Sequence, residues 1–260
     1  MTAEALRRKL ALVLGLDEEG PLAHFDRALH ARQQARAEGA ADYARAALTD
    51  PVELEALVDE LVVPETWFFR ERASFDELRE LARGRHRMRV LCAPCCSGEE
   101  AYSIAITLLE AHVPPCGIEV LGLDVSAPLI ARAQRGEYAA ARLRDGDGLG
   151  PYAERLSGRT LRIRGDVRNL VRFRQANLVR AGWEPELRFD AIFCRNLLIY
   201  LGADPRQRLL ARLGRLLAPG GRLFVGMSEA QLAQSSGYAP ALGRGGRGLV
   251  DRDLPKAMQQ

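Results

Sequence analysis

From residue 87 onward, short apolar segments alternate with segments of helical periodicity, and this alternation restricts the fold more than any other feature of the sequence. The apolar segments have the length of strands, and the segments between them are long enough to be helices. The predicted strands are Met88–Cys92, Ile118–Leu123, Phe189–Cys194 and Arg222–Gly226. Helices are predicted from Glu100 to His112, from about Ala127, and from Pro205 to Leu217. We therefore expect an α/β fold with a mostly parallel sheet, helices on both faces, and a ligand site at the carboxyl ends of the strands.

The first seventy residues are predicted to be helical and to form a domain of their own. Apolar residues recur there at helical spacing. Asp50, which precedes a proline, predicts a helix start, and Glu53 completes a capping-box pattern with it. We expect an N-terminal helical domain over residues 1–70 and the α/β domain over residues 71–260.

The alternation of strands and helices is interrupted before the third predicted strand. The segments Leu161–Arg164 and Leu170–Arg174 alternate apolar and basic residues and are joined by the turn-like pair Gly165-Asp166. This pattern predicts a hairpin with one solvated face. We expect a small antiparallel β insert at about residues 138–176.

Composition indicates a sizeable core and no membrane insertion. The chain is 47% hydrophobic and 27% charged, close to the averages of globular proteins, and no apolar stretch approaches the roughly 20 residues of a spanning helix. The first residues lack the apolar core of a signal peptide, so we expect a cytoplasmic protein whose five cysteines are reduced thiols. Cys92 and Cys95 form a C-x-x-C pair, but no second ligand pair accompanies it, and no metal is expected.

Basic residues are concentrated in one part of a chain whose net charge is only +3. Between Arg132 and Arg180 there are twelve arginines and five acidic residues. This segment is either a binding surface for an acidic partner or a solvated arginine-rich surface, and charge alone favours neither. Aromatic residues do not interleave with the basic ones as they do in RNA-binding motifs, so no nucleic-acid partner is expected.

The turn between the first strand and its helix, Ala93–Tyr102, is the candidate ligand-binding loop. It contains one glycine, Gly98, rather than the G-x-G-x-x-G of a dinucleotide-binding turn. Glu99 and Glu100 at the helix start would repel a pyrophosphate but suit a cationic ligand. The alternative is that both carboxylates only favour the helix N-terminus electrostatically, by ~0.3–1 kcal/mol each.

Asp124 follows the second predicted strand and adds a second acidic position to this site. A carboxylate there can accept hydrogen bonds from both hydroxyls of a ribose, although it could instead cap the next helix. Taken together, the acidic residues of the turn and of the second strand favour a nucleoside without phosphates.

Five segments of the sequence then occur in an order typical of one protein family. They are Pro64–Arg70, Cys95–Ala105, Gln175–Leu178, Phe189–Tyr200 and Leu217–Gly221. This pattern resembles the chemotaxis receptor methyltransferase (CheR) family over about residues 5 to 250. The resemblance implies a Rossmann-like S-adenosylmethionine-dependent methyltransferase sheet, an N-terminal helical domain and a small antiparallel β insert.

The resemblance also implies a set of residues that bind S-adenosylmethionine. They are Thr66, Arg70, Glu99, Asp124, Asn177, Leu178, Arg195 and Asn196. Glu99 would bind the amino group of the cofactor and Asp124 its ribose. The pairs Asn177-Leu178 and Arg195-Asn196 would lie beside the adenine.

Two residues are implied at the place of methyl transfer. Arg70 would steer or orient the acceptor, and Tyr200 would lie near the sulfonium and the incoming substrate. The implied reaction is methylation of glutamate side chains of chemoreceptors, which yields a glutamate methyl ester and S-adenosylhomocysteine. A glutamate has a reference pKa near 4.3, so it is ionised at neutral pH and needs no general base. The implied partners are the acidic cytoplasmic helices of chemoreceptors, and the enzyme is expected to be a monomer.

The sequence departs from the family pattern at several positions. Pro64 stands where an asparagine is usual, Ala101 where a proline is common, and Met227 where a histidine occurs, while Cys96-Ser97 replaces a serine–threonine pair. These departures motivate an alternative, a catalytically weak regulatory module that binds S-adenosylmethionine or S-adenosylhomocysteine in a chemosensory pathway. A methyltransferase with a small-molecule acceptor is a third hypothesis, disfavoured because a small acceptor does not need the long helical region.

Overall fold

The structure is a computed structural model that describes residues 2–17, 24–62, 64–140, 149–240 and 248–251. The described chain begins with a bundle of four helices: α1 (Thr2–Leu14), α2 (Phe25–Arg36), α3 (Ala40–Thr49) and α4 (Pro51–Leu61). They pack around a core of their own, in which Leu6, Leu10, Tyr43 and Leu57 are fully buried. The boundary of an N-terminal domain at residue 70 stays a prediction.

The rest of the described chain alternates strands and helices. The helices are α5 (Arg72–Ala82), α6 (Glu99–Glu110), α7 (Ala127–Arg135), α8 (Gly165–Arg168), α9 (Ala203–Leu216) and α10 (Ala230–Gln234). The strands are β1 (Met88–Cys92), β2 (Ile118–Asp124), β3 (Glu137–Ala139), β4 (Ala153–Ser157), β5 (Thr160–Ile163), β6 (Val171–Gln175), β7 (Phe189–Phe193), β8 (Leu217–Phe224), β9 (Tyr238–Pro240) and β10 (Gly248–Asp251).

Within the described ranges, the main sheet has seven strands in the order β6-β2-β1-β7-β8-β10-β9. The first five of these pair in parallel, and β10 runs antiparallel to both β8 and β9. The chain builds outward from β1 to β2 and β6, and then returns to add β7 on the other side of β1. The predicted α/β fold is confirmed, and the reversal of strand order beside β1 is where ligands of such sheets bind.

Two apolar cores cover the two faces of the sheet. On one face, α6 packs over β1 and β2 with α5 beside it, and the aromatic rings of Phe75, Phe193 and Phe224 stack in a row with centroids 5.6 and 4.5 Å apart. On the other face, α9 buries Leu209, Leu210 and Leu213. Since both faces are covered, the central strands consist almost entirely of apolar residues, as the sequence predicted.

The hairpin predicted for residues 161–174 is wrong. The antiparallel insert is a three-stranded sheet in the order β3-β5-β4, and β6 belongs to the main sheet, where it pairs in parallel with β2. The predicted turn Gly165-Asp166 instead begins the short helix α8. Alternation of apolar and basic residues identifies a strand with one buried face, but it does not identify the strand's partner.

The helix start at Asp50 is confirmed, whereas the capping-box role of Glu53 is wrong. The Asp50 carboxylate accepts a hydrogen bond from the Val52 amide at 2.9 Å. Glu53 is buried and accepts hydrogen bonds from Arg32, at 2.6 and 2.9 Å, and from the Tyr43 hydroxyl at 2.8 Å. A buried carboxylate is stable only when it is paired, so Glu53 joins three helices of the bundle rather than capping one.

In the described part of the chain, no helix combines the length and the apolar character that crossing a membrane requires. The predicted cytoplasmic location remains a prediction.

Candidate active site

A cavity of about 480 Å³ lies at the carboxyl ends of the parallel strands, where the strand order reverses. This volume is within the roughly 300–1,000 Å³ of typical small-molecule sites. The loops after β1, β2, β6 and β7 each contribute to its lining, and so does the segment that joins the helical bundle to α5. The helical bundle also contributes to the lining, with residues at or just beyond the ends of its helices: Leu14, Leu16, His24, Leu61 and Val62.

A hydrogen bond and close packing hold the loop after β1 against neighbouring elements. Cys96 has a left-handed backbone, with φ of 49°, and its amide donates to Oδ2 of Asp124 at 2.8 Å. Gly98 has φ of 96°, and a Cβ atom there would lie 2.8 Å from Cβ of Ala133 and 2.9 Å from Oη of Tyr138. Only glycine fits this position, because both the backbone angle and the close packing exclude a side chain.

Asp124 ends β2 and contributes a buried carboxylate to the lining. Its Oδ2 accepts from the Cys96 amide, its Oδ1 accepts from the Ser126 amide at 3.0 Å, and the residue is 3% exposed. Burial raises the pKa of Asp124, although the backbone hydrogen bonds oppose that rise. Each oxygen keeps a second lone pair, so the carboxylate can still accept from a ligand hydroxyl.

Arg195 lies at the base of the cavity and joins two acidic side chains. It follows β7, its side chain is 1% exposed, and its Nη1 donates to Oε1 of Glu100. Its Nη2 is 3.1 Å from Oε2 of Glu71. The charge of Arg195 is therefore already balanced by carboxylates from two other segments.

Arg70 is the second arginine of the lining and has a different environment. Its Nη1 donates to the backbone oxygen of Glu65 at 2.7 Å, and its guanidinium lies 4.3 Å from the centroid of the Trp67 ring. Within the described residues no carboxylate pairs with Arg70. Its positive charge is consequently available to a ligand or a substrate.

Hydrogen bonds to the Glu229 carboxylate hold the loop after β7 in place. This fully buried carboxylate accepts from the amides of Asn196, Leu198 and Gly226, each at 2.7 Å. Asn196 has φ of 58°, a left-handed conformation that asparagine tolerates better than most residues. The Glu229 contact fixes the loop that carries Asn196 and Tyr200 to the cavity.

Asn177 and Tyr200 connect the sheet loops to the end of α1. The Asn177 side-chain amide donates to the Val13 carbonyl at 2.8 Å, and its oxygen accepts from the Val179 amide at 3.0 Å. The backbone oxygen of Tyr200 accepts from the Asp17 amide at 3.1 Å. The side chain of Tyr200 is 38% exposed and also lines the cavity.

The structure brings eight of the nine predicted site residues to one cavity. Those in the lining are Thr66, Arg70, Asp124, Asn177, Leu178, Arg195, Asn196 and Tyr200. Glu99 is not in the lining: it is fully buried and its carboxylate accepts from the Ser97 hydroxyl at 2.7 Å. The adjacent Glu100 lines the cavity instead. The role of each residue toward a cofactor stays a prediction.

Sequence reasoning missed the wall that the helical bundle contributes and the supporting role of Glu229. Helical periodicity indicates which face of a helix is buried, but not which other element covers it. The acidic residue in the segment Gly226–Glu229 was the available signal for the support of the loop after β7, since a buried carboxylate must find donors.

The lining fits a nucleoside that carries positive charge and no phosphate. Among the described residues, it contains three carboxylates (Glu65, Glu100 and Asp124) and two guanidiniums, of which Arg195 is already paired. Apolar side chains such as Val125, Leu178 and Leu197 form the remainder of the walls and can pack against an adenine ring. The residues present therefore fit S-adenosylmethionine, whose charged groups are a sulfonium, an ammonium and a carboxylate.

The thiols of the loop after β1 are not poised as nucleophiles. Burial, together with the negative charges of Asp124 and Glu99, raises the pKa of Cys96 to about 12. Burial also raises the pKa of Cys92 and Cys95. These thiols are neutral at physiological pH and serve as small apolar residues of the loop.

Comparison with known proteins identifies relatives along most of the chain. A family model described as "CheR methyltransferase, SAM binding domain" matches residues 64–240. The chain is 41% identical over 202 residues, 73% of its length, to the "Probable biofilm formation methyltransferase WspC" of Pseudomonas aeruginosa, and it covers 47% of that protein. It therefore spans about half the length of this relative.

Two shorter relatives carry chemotaxis names. "Chemotaxis protein methyltransferase 2" of Pseudomonas aeruginosa is 38% identical, with 74% of this chain and 75% of that protein covered. "Chemotaxis protein methyltransferase" of Salmonella typhimurium is 37% identical, with 68% of this chain and 64% of that protein covered. Among solved structures, the complex of DhpI with SAH is 20% identical with a TM-score of 0.39, over 69% of this chain and 66% of that one, a likeness too small to carry an argument.

Proposed function

This chain belongs to the CheR methyltransferase family, and from that premise we propose that it transfers a methyl group from S-adenosylmethionine to glutamate side chains of chemoreceptors. The observation that carries the proposal is the cavity at the strand ends. One lining combines a buried carboxylate for the ribose, Asp124, with the guanidinium of Arg70, which no carboxylate in the described chain neutralises. The first feature suits the cofactor and the second suits an anionic acceptor.

The cofactor supplies an electrophilic methyl group attached to a positively charged sulfur. In this site Asp124 would bind the ribose, and the apolar side chains beside Leu178 would pack against the adenine. Thr66 and Arg70, which line the cavity from the segment before α5, would lie at the methionine end. Glu99, which is buried outside the lining, is proposed to bind the amino group, and the adjacent Glu100 offers a carboxylate that does line the cavity.

The acceptor needs orientation more than activation. A glutamate carboxylate is ionised at neutral pH and can attack a methyl group directly, so the site requires no general base. Arg70 can attract and orient that carboxylate, since its described partners are a carbonyl oxygen and an aromatic ring rather than an anion. Tyr200 lies on the same lining and is partly exposed, so it can contact the incoming side chain. Alignment of two reactants in this way can supply ~7–11 kcal/mol of the barrier reduction.

The arginines between residues 132 and 180 support an acidic partner. Arg155, Arg159, Arg172 and Arg180 are exposed, whereas Arg164 pairs locally with Asp166 at 3.0 Å. Such a surface attracts the acidic helices of a receptor's cytoplasmic region through long-range electrostatics. The chemotaxis and biofilm names of the relatives agree with a receptor as the substrate in a chemosensory pathway.

Two measurements on the purified chain test this proposal together. Calorimetry with S-adenosylhomocysteine is expected to show binding at one site, and methyl-labelled cofactor is expected to label receptors in membranes from the chain's own host. A chain that binds the product but labels no cognate receptor would instead be a regulatory cofactor-binding module, the alternative that Pro64 motivates.

A further inference from the structure

Two residues with left-handed backbone conformations stand on either side of Arg70. Phe69 has φ of 52° and Glu71 has φ of 58°. This region of backbone space is unfavourable for residues other than glycine, asparagine and aspartate. Strained residues of this kind persist only where the surrounding structure holds them, and they concentrate at functional sites.

The first strained residue is held by α6. The amide of Phe69 donates to Oγ of Ser103 at 3.0 Å, and the same hydroxyl donates to the backbone oxygen of Glu99 at 2.7 Å. Ser103 is fully buried. The chain just before Arg70 is therefore tied to the helix that begins at the cavity.

The second strained residue is held by Arg195 at the base of the cavity. Oε2 of Glu71 lies 3.1 Å from Nη2 of Arg195, whose other terminal nitrogen is bonded to Glu100 in the first turn of α6. The Arg195 side chain is 1% exposed and that of Glu71 is 22% exposed. Because the Arg195 side chain is almost completely shielded from water, its attraction for the Glu71 carboxylate is weakened less by solvent than in an exposed ion pair.

Helix capping does not account for Glu71. The residue occupies the N-cap position of α5, yet its side chain makes no capping hydrogen bond. Glutamate is not among the residues that favour this position, and its left-handed backbone is unusual there. Its carboxylate reaches across to Arg195 instead, so the ion pair is the contact that explains the residue.

We propose that Glu71 is a positioning residue for methyl transfer: its pairing with Arg195 fixes the strained turn around Arg70 and holds the Arg70 guanidinium at the cavity. The inference rests on the proposed function, in which Arg70 orients the acceptor carboxylate. The held position is the one in which the guanidinium lies over Trp67 and donates to the Glu65 carbonyl. Glu71 itself need not touch the cofactor or the acceptor.

Enzyme kinetics on Glu71→Gln test this role. The substitution keeps the size of the side chain and removes its charge. We expect kcat for methyl transfer to fall about tenfold or more, because small displacements of an orienting group are costly, while the dissociation constant of S-adenosylhomocysteine changes less than about twofold. Glu80→Gln is the matched control, since it removes an exposed ion pair with Arg83 at 2.8 Å on the same helix. The control is expected to leave both quantities unchanged.

A double substitution separates positioning of Arg70 from general support of the fold. In an Arg70→Ala background the effect of Glu71→Gln on kcat should disappear, because the group that Glu71 positions is absent. Full additivity of the two losses would overturn the proposal. Glu71→Gly relieves the backbone strain, so we expect this variant to fold and still to show the reduced kcat.

A measurement without turnover keeps the inference separate from the proposed function. The chain has two tryptophans, Trp67 and Trp183, so the indole N–H signals in a nitrogen-15 NMR spectrum can be assigned with Trp67→Phe. Glu71→Gln and Arg70→Ala are expected to shift the Trp67 signal, and Glu80→Gln is not. An unchanged Trp67 signal in Glu71→Gln would refute the positioning role, whereas a shifted signal in a chain that methylates no receptor would refute only the proposed function.

Discussion

At the scale of single residues, Asp124 is the side chain whose geometry commits it most clearly to a ligand. Backbone amides orient its buried carboxylate, which lines the cavity, and a carboxylate oxygen that accepts one hydrogen bond can accept a second from a ligand. Asp124→Ala is expected to weaken binding of S-adenosylhomocysteine about tenfold or more, the loss of roughly one charged hydrogen bond. Calorimetry measures this, with Asp166→Ala as the control because Asp166 is an exposed residue paired with Arg164. An unchanged dissociation constant would remove Asp124 from the site.

The second prediction for a single residue concerns Arg70, which we propose orients the acceptor carboxylate. Its described contacts hold the guanidinium without neutralising it. Arg70→Ala is therefore expected to reduce kcat/KM for methyl transfer at least tenfold more than it weakens cofactor binding. Equal losses in the two quantities would mean that Arg70 only holds the cofactor.

At the scale of secondary-structure elements, the helical bundle depends on one buried carboxylate. Burial alone would raise the pKa of Glu53, but the hydrogen bonds from Arg32 and Tyr43 outweigh burial, and the pKa is lowered. A carboxyl whose pKa is lowered by folding stabilises the fold above its unfolded pKa, and this stabilisation is lost as the pH falls through the folded value.

Glu53→Gln tests that dependence. The variant is expected to lose about 2 kcal/mol of unfolding free energy at pH 7, and the difference from the parent chain should shrink as the pH is lowered below about 4.3. Chemical denaturation at a series of pH values provides the measurement. A difference that stays constant down to pH 3 would mean that the ionised form of Glu53 does not stabilise the bundle.

The bounds of helices and strands were more predictable from the sequence than the neighbours against which they pack or pair. The apolar run of β1 was predicted with its observed bounds, and β2, α6 and β7 to within two residues, since each is buried and carries a clear period. The pairing of β6 with β2 was missed because the pattern of one strand does not specify its neighbour. Likewise, Glu99 and Glu100 are adjacent acids at a helix start, and sequence alone did not indicate which of them would line the cavity.

At the scale of the whole molecule, the helical bundle is part of the candidate site. Residues 15–17, the short segment after α1 that we call the strap, contact the loops of the sheet. Leu16 pairs with Leu201, and the Gly202 amide donates to the Gly15 carbonyl at 3.0 Å. Just before the strap, the Val13 carbonyl accepts from Asn177. Leu14 and Leu16 from this region line the cavity. No local sequence pattern encodes such a contact between distant segments, so this half of the site could not be predicted.

Gly15→Ala tests whether the strap closes the site. Gly15 has φ of 64°, and an added Cβ would lie 2.7 Å from Cγ1 of Val179 and 2.8 Å from Cβ of Pro205. We expect the substitution to displace the strap and to weaken cofactor binding severalfold. Gly84→Ala is the control, because Gly84 has a similar φ of 72° but nothing within 4 Å of an added Cβ. Equal cofactor affinity in both variants would exclude the strap from the site.

The most direct test of the central claim is the chemistry of the transferred methyl group. The chain should be incubated with methyl-labelled S-adenosylmethionine and receptor membranes from its host, and the labelled receptor then treated with mild alkali. Methylation of glutamate predicts label that is released as methanol, maps to glutamate-containing receptor peptides, and is strongly reduced with Asp124→Ala and Arg70→Ala. Absence of receptor labelling by a chain that binds the cofactor, or label that resists alkali, would contradict the account.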